Sequence, residues 1–92
     1  MNRISVIPLE PGRYAVEVRD GDTATAHKVA VPDDFLDDLG LTDLDPLAVV
    51  QETFAFLLDR EPASSILPNF SLDQVPRYFP DFYEELRIRL GS

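Results

Sequence analysis

The sequence predicts an α+β domain: a three-stranded antiparallel β-meander, a short helix, a long central helix and a C-terminal helical segment broken by prolines. Three observations carry this. Residues alternate between apolar and polar at 13–19 and again at 23–31, on either side of Asp20-Gly21. A dense apolar segment, Leu47–Leu58, follows helical spacing. Pro68, Pro76 and Pro80 then cut the C-terminal third of the chain into short pieces.

Ile4–Ile7 reads as the first strand, with Pro8 marking its end or an edge position. Glu10-Pro11-Gly12 is a turn, because Pro presets one φ and Gly accepts a positive one. In the second strand, Arg13–Arg19, one face carries Tyr14, Val16 and Val18, and the other Arg13, Ala15, Glu17 and Arg19. With Asp20-Gly21 as the central pair of a type I′ hairpin, Arg19 faces Asp22, Val18 faces Thr23, Val16 faces Thr25 and Tyr14 faces His27. The third strand, Thr23–Val31, then adds Thr23, Thr25, His27, Val29 and Val31 to the Tyr14 face.

Pro32–Gly40 forms a short acidic helix, with Gly40 in the left-handed position after its last turn and Leu41 folding back on Leu36. Asp45 caps the central helix and Pro46 is its first residue. Leu47, Val50, Phe54, Leu57 and Leu58 form the apolar stripe, and Val49 and Phe56 widen it beyond what one sheet face needs. Such a helix needs cover on two sides, the second from the C-terminal segment or from another copy of the chain. Asp59 and Glu61 oppose the helix dipole at its end, where only Arg60 is favourable. Pro62–Leu67 holds one or two helical turns at most, and Ser71–Gln74 resembles a capping box limited to one turn by Pro76. Pro80 restarts a helix with Phe82, Tyr83, Leu86 and Leu90 on one face, and Glu84/Arg87 and Glu85/Arg89 spaced as intrahelical ion pairs.

The 92 residues make a single domain, 1–92, and 45% apolar residues with a mean hydropathy of −0.09 describe a globular chain. Having no cysteine, it forms no disulfide, thiolate metal site or thiol nucleophile. The apolar run after Met1 stops at Pro8, short of a signal-peptide core of about 7–15 residues, so a cytoplasmic location is expected. A net charge of −9, with Lys28 the only lysine beside seven scattered Arg, argues against nucleic acid and anionic membranes as partners. A protein partner, or the chain itself in a homodimer, is the expectation.

His27 is the only histidine, and it reads as a packed or partly exposed strand histidine rather than a catalytic base. Asp33, Asp34, Asp37, Asp38, Asp43 and Asp45 invite a Ca²⁺ or Mg²⁺ site, but the spacing from Asp43 onward departs from a calcium loop after two ligands. They read as a solvated acidic face. The isolated glycines form no phosphate loop, no zinc ligand set is present, and no cofactor is expected. Arg60-Glu61-Pro62 and Arg77-Tyr78-Phe79-Pro80 stand at proline-forced corners. Arg60 suits carbonyls near the helix end, and Tyr78 and Phe79 suit the edge of the core. Alternatively, Arg77, Tyr78, Phe79 and Phe82 form a protein-contact patch of the residue types enriched at binding hot spots.

Phe54-Ala55-Phe56-Leu57-Leu58-Asp59-Arg60-Glu61-Pro62, Ser65-Ile66-Leu67, Phe70-Ser71-Leu72 and Arg77-Tyr78-Phe79-Pro80-Asp81-Phe82 resemble a family of short, uncharacterised bacterial proteins. The likeness covers mainly residues 45–83 and more loosely the hairpin, and it implies no activity, ligand or site residue. The expected function is a non-enzymatic module for protein interaction or self-association. An acidic inhibitor or antitoxin-like regulator masking a basic partner is the alternative, and a small enzyme using carboxylates with His27 the third class.

Overall fold

A computed structural model describes residues 2–40 and 44–91. Strands β1 (Asn2–Glu10), β2 (Arg13–Asp20) and β3 (Thr23–Ala30) form the antiparallel meander, followed by α1 (Phe35–Leu39) and the central α2 (Pro46–Leu58). A short strand β4 (Asn69–Ser71) and helix α3 (Phe82–Gly91) complete the order. The expected contact of Leu41 with Leu36, and Asp43 of the acidic run, lie outside the described residues.

β1 continues through Pro8, which an edge strand tolerates, and its register against β2 shifts between Pro8 and Glu10. The second hairpin corrects the expected register. Asp20 pairs with Thr23, Val18 with Thr25, Val16 with His27 and Tyr14 with Val29, two residues along from the sequence expectation. Its loop is therefore Gly21-Asp22. Gly21 has φ 64°, and among the described residues no non-glycine has positive φ, which matches a type II′ turn and not the type I′ that needs two such residues. Because the slip is two residues, each side chain keeps its face. Tyr14, Val16, Val18, His27 and Val29 share the face that is buried, a choice between the two faces that the sequence left open, while Arg13, Glu17, Arg19, Ala24, Ala26 and Lys28 face outward and are exposed.

β4 was not foreseen. It runs parallel to β3 and sets the sheet order β1-β2-β3-β4, so α1 and α2 form part of the crossover between its last two strands. The segment is seated by backbone and side chain together. Lys28 N donates to Pro68 O at 2.7 Å, and His27 Nδ1 donates to Leu67 O at 2.8 Å.

Asp45 Oδ1 accepts from Leu47 N at 3.0 Å and caps α2, a bond worth about 1 kcal/mol. α2 lies against β1 on one side and along α3 on the other. The second side of its apolar surface is thus covered by the chain's own tail. Val49 and Phe56 are fully buried, with the Phe56 ring 5.3 Å from Phe82 and 5.8 Å edge-on to Phe79. A second copy is not needed to cover this helix.

Two arginines depart from the expected intrahelical pairs. Arg89 reaches from the last turn of α3 to Asp59 at 2.7 Å and Glu52 at 3.8 Å on α2. Asp59 is the residue that closes α2, so a cation from another helix offsets its clash with the dipole. Arg87 Nε donates to Leu39 O at 3.3 Å, satisfying a carbonyl at the end of α1. Gly40, φ 71°, supplies the left-handed stop there. The segment before α3 is 3₁₀ over Leu72–Arg77, longer than the one turn expected, with Pro76 inside it and Gln74 Oε1 accepting from Ser71 N at 2.9 Å.

Charge divides with the architecture. Residues 1–32, mostly sheet, hold four acids and four cations, whereas residues 33–92 hold thirteen acids against four cations and carry the whole net charge of −9.

Candidate functional site

The four residues of the expected contact patch separate. Phe82 is fully buried between Phe35 and Phe56, so it belongs to the core and cannot touch a partner. Phe79 is half-buried, while Arg77 and Tyr78 are exposed. The backbone turns between Tyr78 and Phe79 so that the first ring meets solvent and the second packs edge-on to Phe56. Tyr78 and Phe79 nevertheless share one feature.

Both line a groove of about 300 Å³ between the end of α2, the Ala63–Ser65 turn, β4 and the 3₁₀ helix. Leu57, Ile66, Phe70 and Val75 form most of its apolar wall. Leu67, half exposed at 50%, and Tyr78, at 69%, belong to the same lining and are among the large apolar side chains that stand exposed among the described residues. Glu61 and Gln74 are its charged and amide groups. The groove follows from local sequence: Pro62 and Pro68 prevent a continuous α-helix over 62–68, and the resulting loop stands away from the last turn of α2. Concave apolar surface with a few polar groups is the usual form of a recognition site.

His27 lies behind this wall. It is 4% exposed, its ring centroid is 5.3 Å from that of Phe54, and Nε2 is 2.9 Å from Thr25 Oγ1. The Leu67 carbonyl accepts only, so Nδ1 carries a proton, and in the neutral ring Nε2 accepts from the Thr25 hydroxyl. Both nitrogens hold structure together, and neither bonds a carboxylate among the described residues. Asp33, Asp34, Asp37 and Asp38 are exposed, and among the described residues no cluster of three or more His, Cys, Asp or Glu side chains can hold a metal ion.

Arg60 braces the far side. Both of its terminal nitrogens donate to the Asp81 carboxylate, Nη1 to Oδ1 at 3.2 Å, and its guanidinium lies 4.5 Å over the Phe56 ring. It therefore ties the end of α2 to the start of α3 instead of bonding carbonyls. The hydrogen bond from Arg60 holds the Asp81 carboxyl below its ordinary 3.8. A carboxylate whose folded pKa is depressed stabilises the fold above its unfolded value, and that contribution disappears as pH falls through the folded one. Asp81→Asn is expected to be less stable than the parent at neutral pH, with the difference shrinking as the pH drops below about 3.8. Urea unfolding at stepped pH checks this, and a gap that widens in acid would refute it. Tyr83 shifts the other way: burial, then Asp73 and Asp38, hold its phenol neutral above the ordinary 10.0.

The groove was missed from sequence because its walls come from four separate elements. Tyr78 and Phe79 at the Pro80 corner, read as the edge of the core or part of a contact patch, were the one signal pointing to it. Compared with known proteins, the chain matches no family model, no curated protein and no solved structure. What the groove can do therefore rests on its own geometry. Among the described residues no helix is long and apolar enough to cross a membrane.

Proposed function

We propose that this chain is a non-enzymatic protein-interaction module that docks a partner in the groove between α2 and the 3₁₀ helix. The observation that carries this is the pairing of an apolar concavity of about 300 Å³ with two exposed apolar rim residues, Leu67 and Tyr78. A wall of buried Leu57, Ile66 and Val75 is rigid enough to select a shape, and exposed rim side chains gain by being covered. His27 serves the wall by holding the Leu67 backbone, so no acid–base role is left to it. The chain acts in the cytoplasm, consistent with its lack of cysteine.

Panning a display library of random dodecapeptides against the chain tests this. Enriched peptides with a bulky apolar residue are expected, and Leu67→Ser with Tyr78→Ser together should weaken them by about 1–3 kcal/mol. Ile7→Ser, on the open sheet face where Ile7 is 57% exposed, should leave them unchanged. A library that yields no binder, or binders indifferent to the rim substitutions, overturns the proposal.

The masking of a basic partner by the acidic face is a second role, favoured by the thirteen acids against four cations in residues 33–92. It expects affinity to fall steeply with salt, whereas apolar docking alone expects little change.

A further inference from the structure

Among the described residues, the groove contains one charge without a counterpart. Glu61 lines it half-buried, its backbone N–H donates to Leu57 O at 2.9 Å, and its carboxylate takes part in no hydrogen bond or ion pair with the described residues. Its position is also unfavourable in the isolated chain. The end of α2 already presents the negative pole of the helix, and a carboxylate there adds to it. The neighbouring acid, Asp59, meets the same objection but is answered by Arg89 at 2.7 Å. Glu61 has no such answer within the described structure.

Resting on the groove as a docking site, we infer that its occupant is a peptide segment joining a bulky apolar side chain to a neighbouring Lys or Arg. The apolar side chain fills the space between Leu57, Ile66 and Val75, and the cation meets Glu61 and the α2 C-terminus together. A cation there gains from both the carboxylate and the helix pole, and the exposed Tyr78 ring offers it an aromatic face as well. The net charge of −9 draws such a segment in. A peptide fits better than a small molecule. Small-ligand sites bury most of their ligand, about 70–90% of its surface, whereas here Leu67 and Tyr78 stand half or more exposed and extend the contact beyond the concavity.

Dodecapeptides selected on the unmodified chain, then measured singly by fluorescence anisotropy, decide it. Selected sequences should carry Lys or Arg near the apolar anchor, and Glu61→Gln should weaken them by about five- to tenfold. Replacing that Lys or Arg by norleucine should produce the same loss, and the two changes together should cost little more than either alone. Thermal unfolding of Glu61→Gln must match the parent within a few degrees, which ensures that the loss is local. Binders whose apolar anchor depends on Leu67 and Tyr78 but which show no basic preference and ignore Glu61→Gln overturn this inference and leave the docking site standing. Failure of the library to yield any rim-dependent binder overturns both.

Discussion

Replacing Phe56 by Ala is expected to destabilise the fold by about 3–5 kcal/mol, the cost of emptying a fully buried aromatic site. The ring is held on several sides: Phe82 at 5.3 Å, Phe79 edge-on at 5.8 Å and the Arg60 guanidinium 4.5 Å over its face. These neighbours come from the end of α2, from α3 and from the loop between Tyr78 and Pro80, so the surroundings cannot collapse onto the void by moving one element. A chain of 92 residues is expected to have only about 5–14 kcal/mol of stability in total. The variant should therefore unfold at much lower urea, with an unchanged slope if the denatured state is the same. Tyr78→Ala, removing a side chain that is 69% exposed, should stay within about 0.5 kcal/mol of the parent. If the two substitutions had similar effects, the C-terminal segment would not be sealing α2.

His27→Ala should be nearly as severe, at about 2–4 kcal/mol, for a different reason. It removes the bond to Leu67 O at 2.8 Å and the one to Thr25 Oγ1 at 2.9 Å, and it takes a ring away from Phe54. The Leu67 carbonyl then lacks its partner at the point where the chain enters β4. The damage should be local before it is global. In hydrogen exchange, the Lys28 amide, which donates to Pro68 O, should lose protection ahead of the β1–β2 ladder. A catalytic histidine with no structural duty would leave both stability and exchange untouched, and that outcome would contradict the role of His27 as a brace for β4.

The meander, the faces of its strands and the identity of the long helix were legible because each depends on periodicity within a single segment. Tyr14, Val16 and Val18 alternate, Leu47 to Leu58 repeats at helical spacing, and Asp45-Pro46 marks a start. The hairpin register was not legible to the same degree. Asp20-Gly21 and Gly21-Asp22 are both two-residue turn signals, and choosing between them moves the pairing by two residues while leaving every face unchanged. β4 escaped because three residues are too few to show a period, and its place is set by bonds from His27 and Lys28, about forty residues earlier. The ion pairs escaped for a similar reason: Arg89 has Glu85 one turn away, but Asp59 and Glu52 become available only once α2 and α3 lie side by side. Of the contact patch, aromatic composition alone could not separate Phe82, at the centre of the core, from Tyr78, at its surface.

The uneven division of charge gives the molecule a permanent electrical polarity. Residues 1–32, which build the meander, carry no net charge and residues 33–92 carry all nine excess negatives, so a positively charged body nearby exerts a torque that turns the acidic part of the chain toward it. Encounter would begin with rotation and end with the open strand surface turned away, and raising the ionic strength would shorten the distance over which that alignment acts.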